Sequence, residues 1–332
     1  MAPEAAHGGA SPTHKLSQSS WDALAVDDAE HDTQAGHAPA KITCLCRAAG
    51  GESFLTASED NTLVLWGART GESQLTFQGH EKPVRKCAAA TEQGAYRILS
   101  AGDDGNVLLW NISTGLDEAV MQGHAGAVYC CDWNRSCALA ASAGKDKVVN
   151  VWDMSSSETG VVSSVARLEG HAERIFDLSF SAVEEAALVT GSRDGTVRLW
   201  DVEARQTVAQ WGESSSEVCM SKFSLDGASV CFGGSDERFQ LLDKRSGRVT
   251  LDLDAEGVVR DASFSSTWSW WVAYAAGPAA VIVDLRQHRE VARFECDDGK
   301  CVGVSFGRDE VAVADSLGRL YVLAVEKAPF KY

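Results

Sequence analysis

GHAERIFDLSFSAVEEAALVTGSRDGTVRLW, residues 170–200, opens on a Gly-His pair and then carries Thr190, Asp194 four residues later and Trp200 six residues after that. The same signature recurs upstream as His37, Thr56, Asp60 and Trp66, as His80, Ser100, Asp104 and Trp110, and as His124, Ser142, Asp146 and Trp152. Successive Trp are 44, 42 and 48 residues apart, close to the roughly 40 to 45 residues of one four-stranded propeller blade. Inside the quoted stretch Thr196, Arg198 and Trp200 alternate with Val197 and Leu199, the period of two that marks a strand. Asp60-Asn61, Asp104-Gly105, Asp194-Gly195 and Asp226-Gly227 supply tight hairpin turns. Strands and turns repeating at this length imply an all-β fold, a β-propeller of four-stranded antiparallel blades.

Three more units follow Trp200 once Phe180 is aligned with Phe223, Phe264 and Phe306, and the Trp position becomes Leu242, Val283 and Leu323. Seven blades are therefore expected. Unit five keeps Asp236 but has Phe232 in place of Ser/Thr; unit six reads Ala273, Gly277 and Val283; unit seven reads Val313, Leu317 and Leu323. Apolar packing is expected to replace the polar signature in all three, which is near neutral when every partner goes together.

The propeller is expected over residues 37–332. Residues 1–20, poor in bulky side chains, cannot offset the entropy of ordering and read as a disordered tail. Residues 21–36 are acidic, with Leu24 and Val26 alternating, and form a candidate ring-closing strand that would hide a sheet edge. The competing reading is a solvated acidic segment with no pairing.

Forty-seven acidic against 30 basic side chains give a net charge of −17, which argues against contact with phosphate backbones, so no nucleic acid is expected. No apolar run long enough to span a bilayer and no leader pattern are visible, so no membrane contact is expected. Seven of the ten Cys, namely Cys44, Cys46, Cys87, Cys130, Cys131, Cys219 and Cys301, fall on expected inner strands, where a thiol acts as a small hydrophobe. A reducing compartment, cytoplasm or nucleus, follows, and without C-x₂-C spacing no metal is expected.

On its four complete signatures the chain resembles the WD-repeat (WD40) family from His37 to Leu323. The resemblance implies that His, Ser/Thr, Asp and Trp form a hydrogen-bonded chain within each blade. Physical chemistry agrees, because a buried Asp must be paired and a His donor supplies a charge-assisted bond. Reading each His-Asp pair with its Ser as a nucleophile and base is disfavoured by four equivalent copies. Gly303-Val-Ser305-Phe-Gly307 matches a nucleophile elbow in letters but lies within an expected strand. No phosphate loop or dinucleotide fingerprint is present, so the expectation is no enzyme and no cofactor.

The resemblance also implies protein binding at the rim where first strands begin and where second-to-third turns end. Of 21 positions read there, seven are basic and three acidic, the reverse of the chain as a whole. Tyr129 and Phe176 fall in adjacent units beside Lys145, Arg174 and Arg193, with Arg85 and Arg260 on the same rim, an aromatic and Arg mixture typical of hot spots, so a binding patch is expected over units two to four. An acidic or phosphorylated peptide is the expected partner, held by forked hydrogen bonds; the alternative is a row of solubilising cations. On the opposite rim Asp243-Lys-Arg245 and Asp284-Leu-Arg286 resemble the paired motif by which substrate receptors dock on a cullin-RING ubiquitin-ligase adaptor, although the preceding Trp is absent. Each Arg pairing with its own Asp is the structural alternative. A noncatalytic scaffold within a multiprotein complex is the broader reading.

Overall fold

The computed structural model describes residues 23–25, 37, 40–48, 52–68, 70–90, 97–155, 162–212, 216–296, 299–308 and 310–325. Residues 1–20, expected to form the tail, lie outside them. The described residues form 28 strands, β1 to β28 in chain order, arranged in seven four-stranded antiparallel sheets. The inner strands are β2 (Ile42–Arg47), β6 (Val84–Ala89), β10 (Val128–Trp133), β14 (Ile175–Phe180), β18 (Val218–Phe223), β22 (Val259–Phe264) and β26 (Cys301–Phe306). Each packs on the next around the ring, and β26 packs on β2. The expected fold, a seven-bladed β-propeller, is the fold observed.

The seventh blade draws on both ends of the described chain. β1 (Ala23–Ala25) pairs antiparallel with β28 (Leu320–Ala324), Leu24 opposite Val322, outside β27 (Glu310–Asp315) and β26.

All seven cysteines assigned to inner strands lie there, and all ten are free thiols. Charged side chains also face one another along these strands, with Lys86 Nζ 3.1 Å from Asp177 and Lys222 Nζ 2.5 Å from Asp261. Asp177 accepts the amide of Ser221, and Asp261 that of Val304, each on the next blade. The two carboxylates thereby tie blade four to blade five and blade six to blade seven.

Blades one to four contain the polar chain in full. His Nδ1 lies 2.7–2.8 Å from the Asp carboxylate and Nε2 2.7–2.8 Å from the Ser or Thr hydroxyl. The Trp indole donates to that hydroxyl at 2.7–2.8 Å. A carboxylate needs a donor, so a neutral imidazole carries its proton on Nδ1 and accepts the hydroxyl proton on Nε2. The imidazoles are fully buried, so these bonds are made away from solvent, where they are strengthened.

Burial holds His171 below its ordinary 6.5 despite Asp194. Burial pushes Asp194 up, but hydrogen bonds from Thr196 and His171 outweigh it and hold it at about 2. For both groups the unfolded chain takes up its proton at higher pH than the folded one. Their stabilisation is therefore complete above 6.5, and falls as pH drops through 6.5 for His171 and from 3.8 towards about 2 for Asp194. We predict a urea midpoint that declines steadily from about pH 7 to about pH 3; a flat midpoint over that range would contradict the assignment.

The last three blades differ from one another. Blade five is apolar as expected, with Phe232 and Leu242 buried. In blade six the register puts Tyr274, not Ala273, at the Ser/Thr position, because the hairpin from β23 (Trp271–Ala276) to β24 (Ala279–Asp284) is shorter. Tyr274 stacks on Phe239 of blade five at 4.6 Å and 10°. Blade seven overturns the apolar expectation: fully buried Asp315 accepts bonds from Arg319 Nε at 2.6 Å and from the Leu317 and Arg319 amides. A carboxylate two positions before the usual Asp rebuilds a polar corner from a new starting point.

Candidate protein-interaction site

Each first strand begins with an irregularity in its pairing. The residues skipped by the ladder are Thr43, Arg85, Tyr129, Phe176, Cys219, Arg260 and Val302. A bulge leaves one residue unpaired and re-aims its side chain. This bulge places the seven residues read as rim positions in the sequence at one rim of the propeller.

Tyr129 and Phe176 form a platform across blades three and four, ring centroids 6.0 Å apart at 30°. Both are half-buried, which leaves their faces partly available. Lys145 is exposed and Arg174 half-buried, and neither has an ion-pair partner among the described residues. Two other cations of the expected patch are engaged. Arg85 donates from Nε to Asp103 at 2.9 Å and also contacts Glu59 at 3.7 Å; the Asp103 bond raises its pKa. Arg193 Nε lies 2.7 Å from Glu217. All three rim acids thus sit on two of the seven rim cations, a pairing invisible in the linear sequence. Arg260 is exposed on blade six, two blades beyond Phe176.

On the opposite rim the Asp of each Asp-x-Arg motif caps a turn. Asp243 accepts the Ser246 amide at 2.7 Å, and Asp284 the Arg286 amide at 2.8 Å. Asn111, Asp153 and Asp201 cap the same turn in other blades, so these carboxylates follow from turn chemistry. Arg245 is exposed. Arg286 reaches its own Asp284 at 3.3 Å and lies 5.9 Å from the ring of Trp270, which is 52% exposed. Sequence reading passed over Trp270; the run Trp268-Ser269-Trp270-Trp271 was its signal, since the adjacent Trp270 and Trp271 cannot both face the core.

Among the described residues, no group of His, Cys, Asp and Glu side chains is arranged to hold a metal ion, and no helix is long and apolar enough to cross a membrane.

The model of the WD domain, G-beta repeat, matches residues 30–67, 71–111, 117–153 and 162–201. Among similar proteins, Protein SPA1-RELATED 3 of Arabidopsis thaliana is 30% identical over 112 residues, 33% of this chain and 12% of that protein. The nuclear distribution protein nudF of Aspergillus niger is 27% identical over 212 residues, 64% of this chain and 38% of that protein. A guanine nucleotide-binding protein subunit beta of Oryza sativa subsp. japonica is 25% identical over 202 residues, 58% of this chain and 53% of that protein. The chain spans between about an eighth and about half of the length of these relatives. Four complete His-Ser/Thr-Asp-Trp networks, matched one for one by the four repeats of the family model and carried on a closed ring of seven blades, place this chain in the WD-repeat family.

Proposed function

We propose that the propeller is a noncatalytic interaction scaffold, working in the cytoplasm or nucleus, that holds an acidic or phosphorylated peptide on the bulged rim of blades three and four. The observation that carries this reading is the Tyr129–Phe176 platform flanked by two cations, Lys145 and Arg174, with no acid paired to them among the described residues. A rigid aromatic surface supplies contact area at small entropic cost, and the cations select the sign of the partner. Arg85, Arg193 and Arg260 contribute less, the first two because a ligand must displace Asp103 or Glu217 to reach them. Repulsion from the rest of a −17 chain confines an anionic partner to this patch and disfavours nucleic acid.

Affinity capture from cells tests the reading. Lys145→Glu with Arg174→Glu is expected to weaken capture of acidic or phosphorylated partners by about 100-fold, two charge-assisted contacts being lost. Undiminished capture with both charges reversed removes the proposal.

The ubiquitin-ligase receptor is the second reading, favoured by the exposure of Arg245 and Arg286 on consecutive blades of the other rim. Arg245→Ala with Arg286→Ala in the same capture experiment isolates it. An adaptor lost with that pair alone supports the receptor; an adaptor retained, or none captured by wild type, leaves the scaffold reading by itself.

A further inference from the structure

Blade five lost its signature in a way that leaves space. In blades two to four the indole tip of Trp110, Trp152 or Trp200 lies only 2.8–3.2 Å from where a side chain would begin at Gly79, Gly123 or Gly170, so the ring fills the gap under the incoming loop. Blade five has Leu242 for that Trp, and in the sequence Ser214, four residues before Val218, aligns with the His. A pocket of about 220 Å3 lies between blades four and five, walled by Trp211, Val218, Phe232 and Leu242. Trp211 takes the place of Phe77, which meets the Trp110 indole edge-on at 5.7 Å in blade two. An apolar cavity of about 150 Å3 already accepts a benzene ring, so this one has room for an indole.

The charged lining is acidic. Asp236 and Glu217 both border the pocket. Glu217 is matched by Arg193. Asp236 is exposed, and the one bond it makes among the described residues is to the Arg238 amide at 3.3 Å; its counterparts in blades one to four each hold an imidazole. We propose that this pocket binds an indole-sized aromatic amine, the ring occupying the volume of the missing Trp and the ammonium standing on Asp236 in place of the missing His. Aromatic walls favour the ring, and a carboxylate at the mouth favours a cation over a neutral analogue.

The site is independent of the peptide platform, and its test does not use Lys145 or Arg174. Tryptamine and a capped Trp-Lys dipeptide are titrated calorimetrically into the full chain, with 3-methylindole as the uncharged control. Saturable binding is expected, with 3-methylindole about tenfold weaker for lack of the charge-assisted bond. Preference for tryptamine points to a small metabolite, and preference for the dipeptide to a side chain of a partner. Phe232→Ser with Leu242→Trp rebuilds the family arrangement, the new indole donating to the new hydroxyl, and is expected to abolish binding while unfolding at or above the wild-type temperature. Asp236→Asn, on the surface and without effect on folding, should bring tryptamine down to the level of 3-methylindole. No saturable binding by wild type, undiminished binding in the filled double variant, or tryptamine unaffected by Asp236→Asn each overturns the proposal.

Discussion

Asp194→Ala is expected to destabilise the propeller by about 3 kcal/mol and to lower its melting temperature by roughly 5–10 °C. The carboxylate receives His171 Nδ1 at 2.8 Å, the Ala172 amide at 2.9 Å, the Thr196 amide at 3.0 Å and the Thr196 hydroxyl at 2.6 Å. Its side chain is only 10% exposed and that of His171 is fully buried. Removing the carboxylate therefore leaves the buried imidazole N–H only the long contact to the Thr196 hydroxyl at 3.3 Å, and water reaches it poorly. The damage travels further, because His171 orients Thr190, and Thr190 in turn receives the Trp200 indole. Asp236→Ala is the matched control in blade five: same position and same turn, but exposed and without an imidazole, so its cost should stay within about 0.5 kcal/mol. Equal losses in the two variants, or a melting temperature unchanged by Asp194→Ala, would show that the network does not carry the stability assigned to it.

That contrast between blades also marks what the linear sequence can convey. Local hydrogen-bond chemistry repeats in register with the chain, so His37, Thr56, Asp60 and Trp66 and their three echoes announce blades, turns and core together. The αL turn residue was equally legible: Asn61, Gly105 and Gly195 adopt φ of 72°, 88° and 79°, as Asp-Asn and Asp-Gly pairs require. Counting backward from an absent Trp failed in blade six, since a shorter hairpin moves every earlier position by one and brings Tyr274 where Ala273 was expected. Counting also failed in blade seven, where Asp315 serves the corner from an unexpected position. At the rim, the bulge residues could be named because a bulge recurs in every blade. Their availability could not, because Arg85 meets Asp103 and Arg193 meets Glu217 through side-chain reach across turns and blades. The pocket beside Leu242 was hidden for a related reason: a substitution seen alone does not tell whether its neighbours collapse into the space or leave it open.

Deleting residues 1–27 is expected to have an effect of the same size by a different route. The deletion removes β1, whose three residues pair with Leu323, Val322 and Tyr321, at a cost of about 3 kcal/mol if each pairing contributes about 1 kcal/mol. Blade seven is left with three strands and β28 becomes a sheet edge, along which Val322 and Leu323 are already buried apolar side chains. An unpaired, hydrophobic edge is a template for association with another copy. The truncated chain should therefore melt lower and also elute as higher oligomers. Loss at this place matters more than loss of an outer strand elsewhere. Among the described residues, blades seven and one meet through side chains: β26 packs on β2, Ala312 and Ala314 pack with Ile42, Leu45 and Phe54, and Arg47 pairs with Glu310 at 3.0 Å. Within blade seven, β1 is the strand that ties the start of the chain to its end. Deleting residues 1–20 keeps β1 and should change stability by less than about 0.5 kcal/mol. Calorimetry and size-exclusion chromatography on the two truncations decide the matter. If both melt with wild type and stay monomeric, the β1–β28 pairing contributes nothing and the ring holds through side-chain packing. If only the longer truncation fails, the acidic segment around Leu24 is the clasp of the propeller.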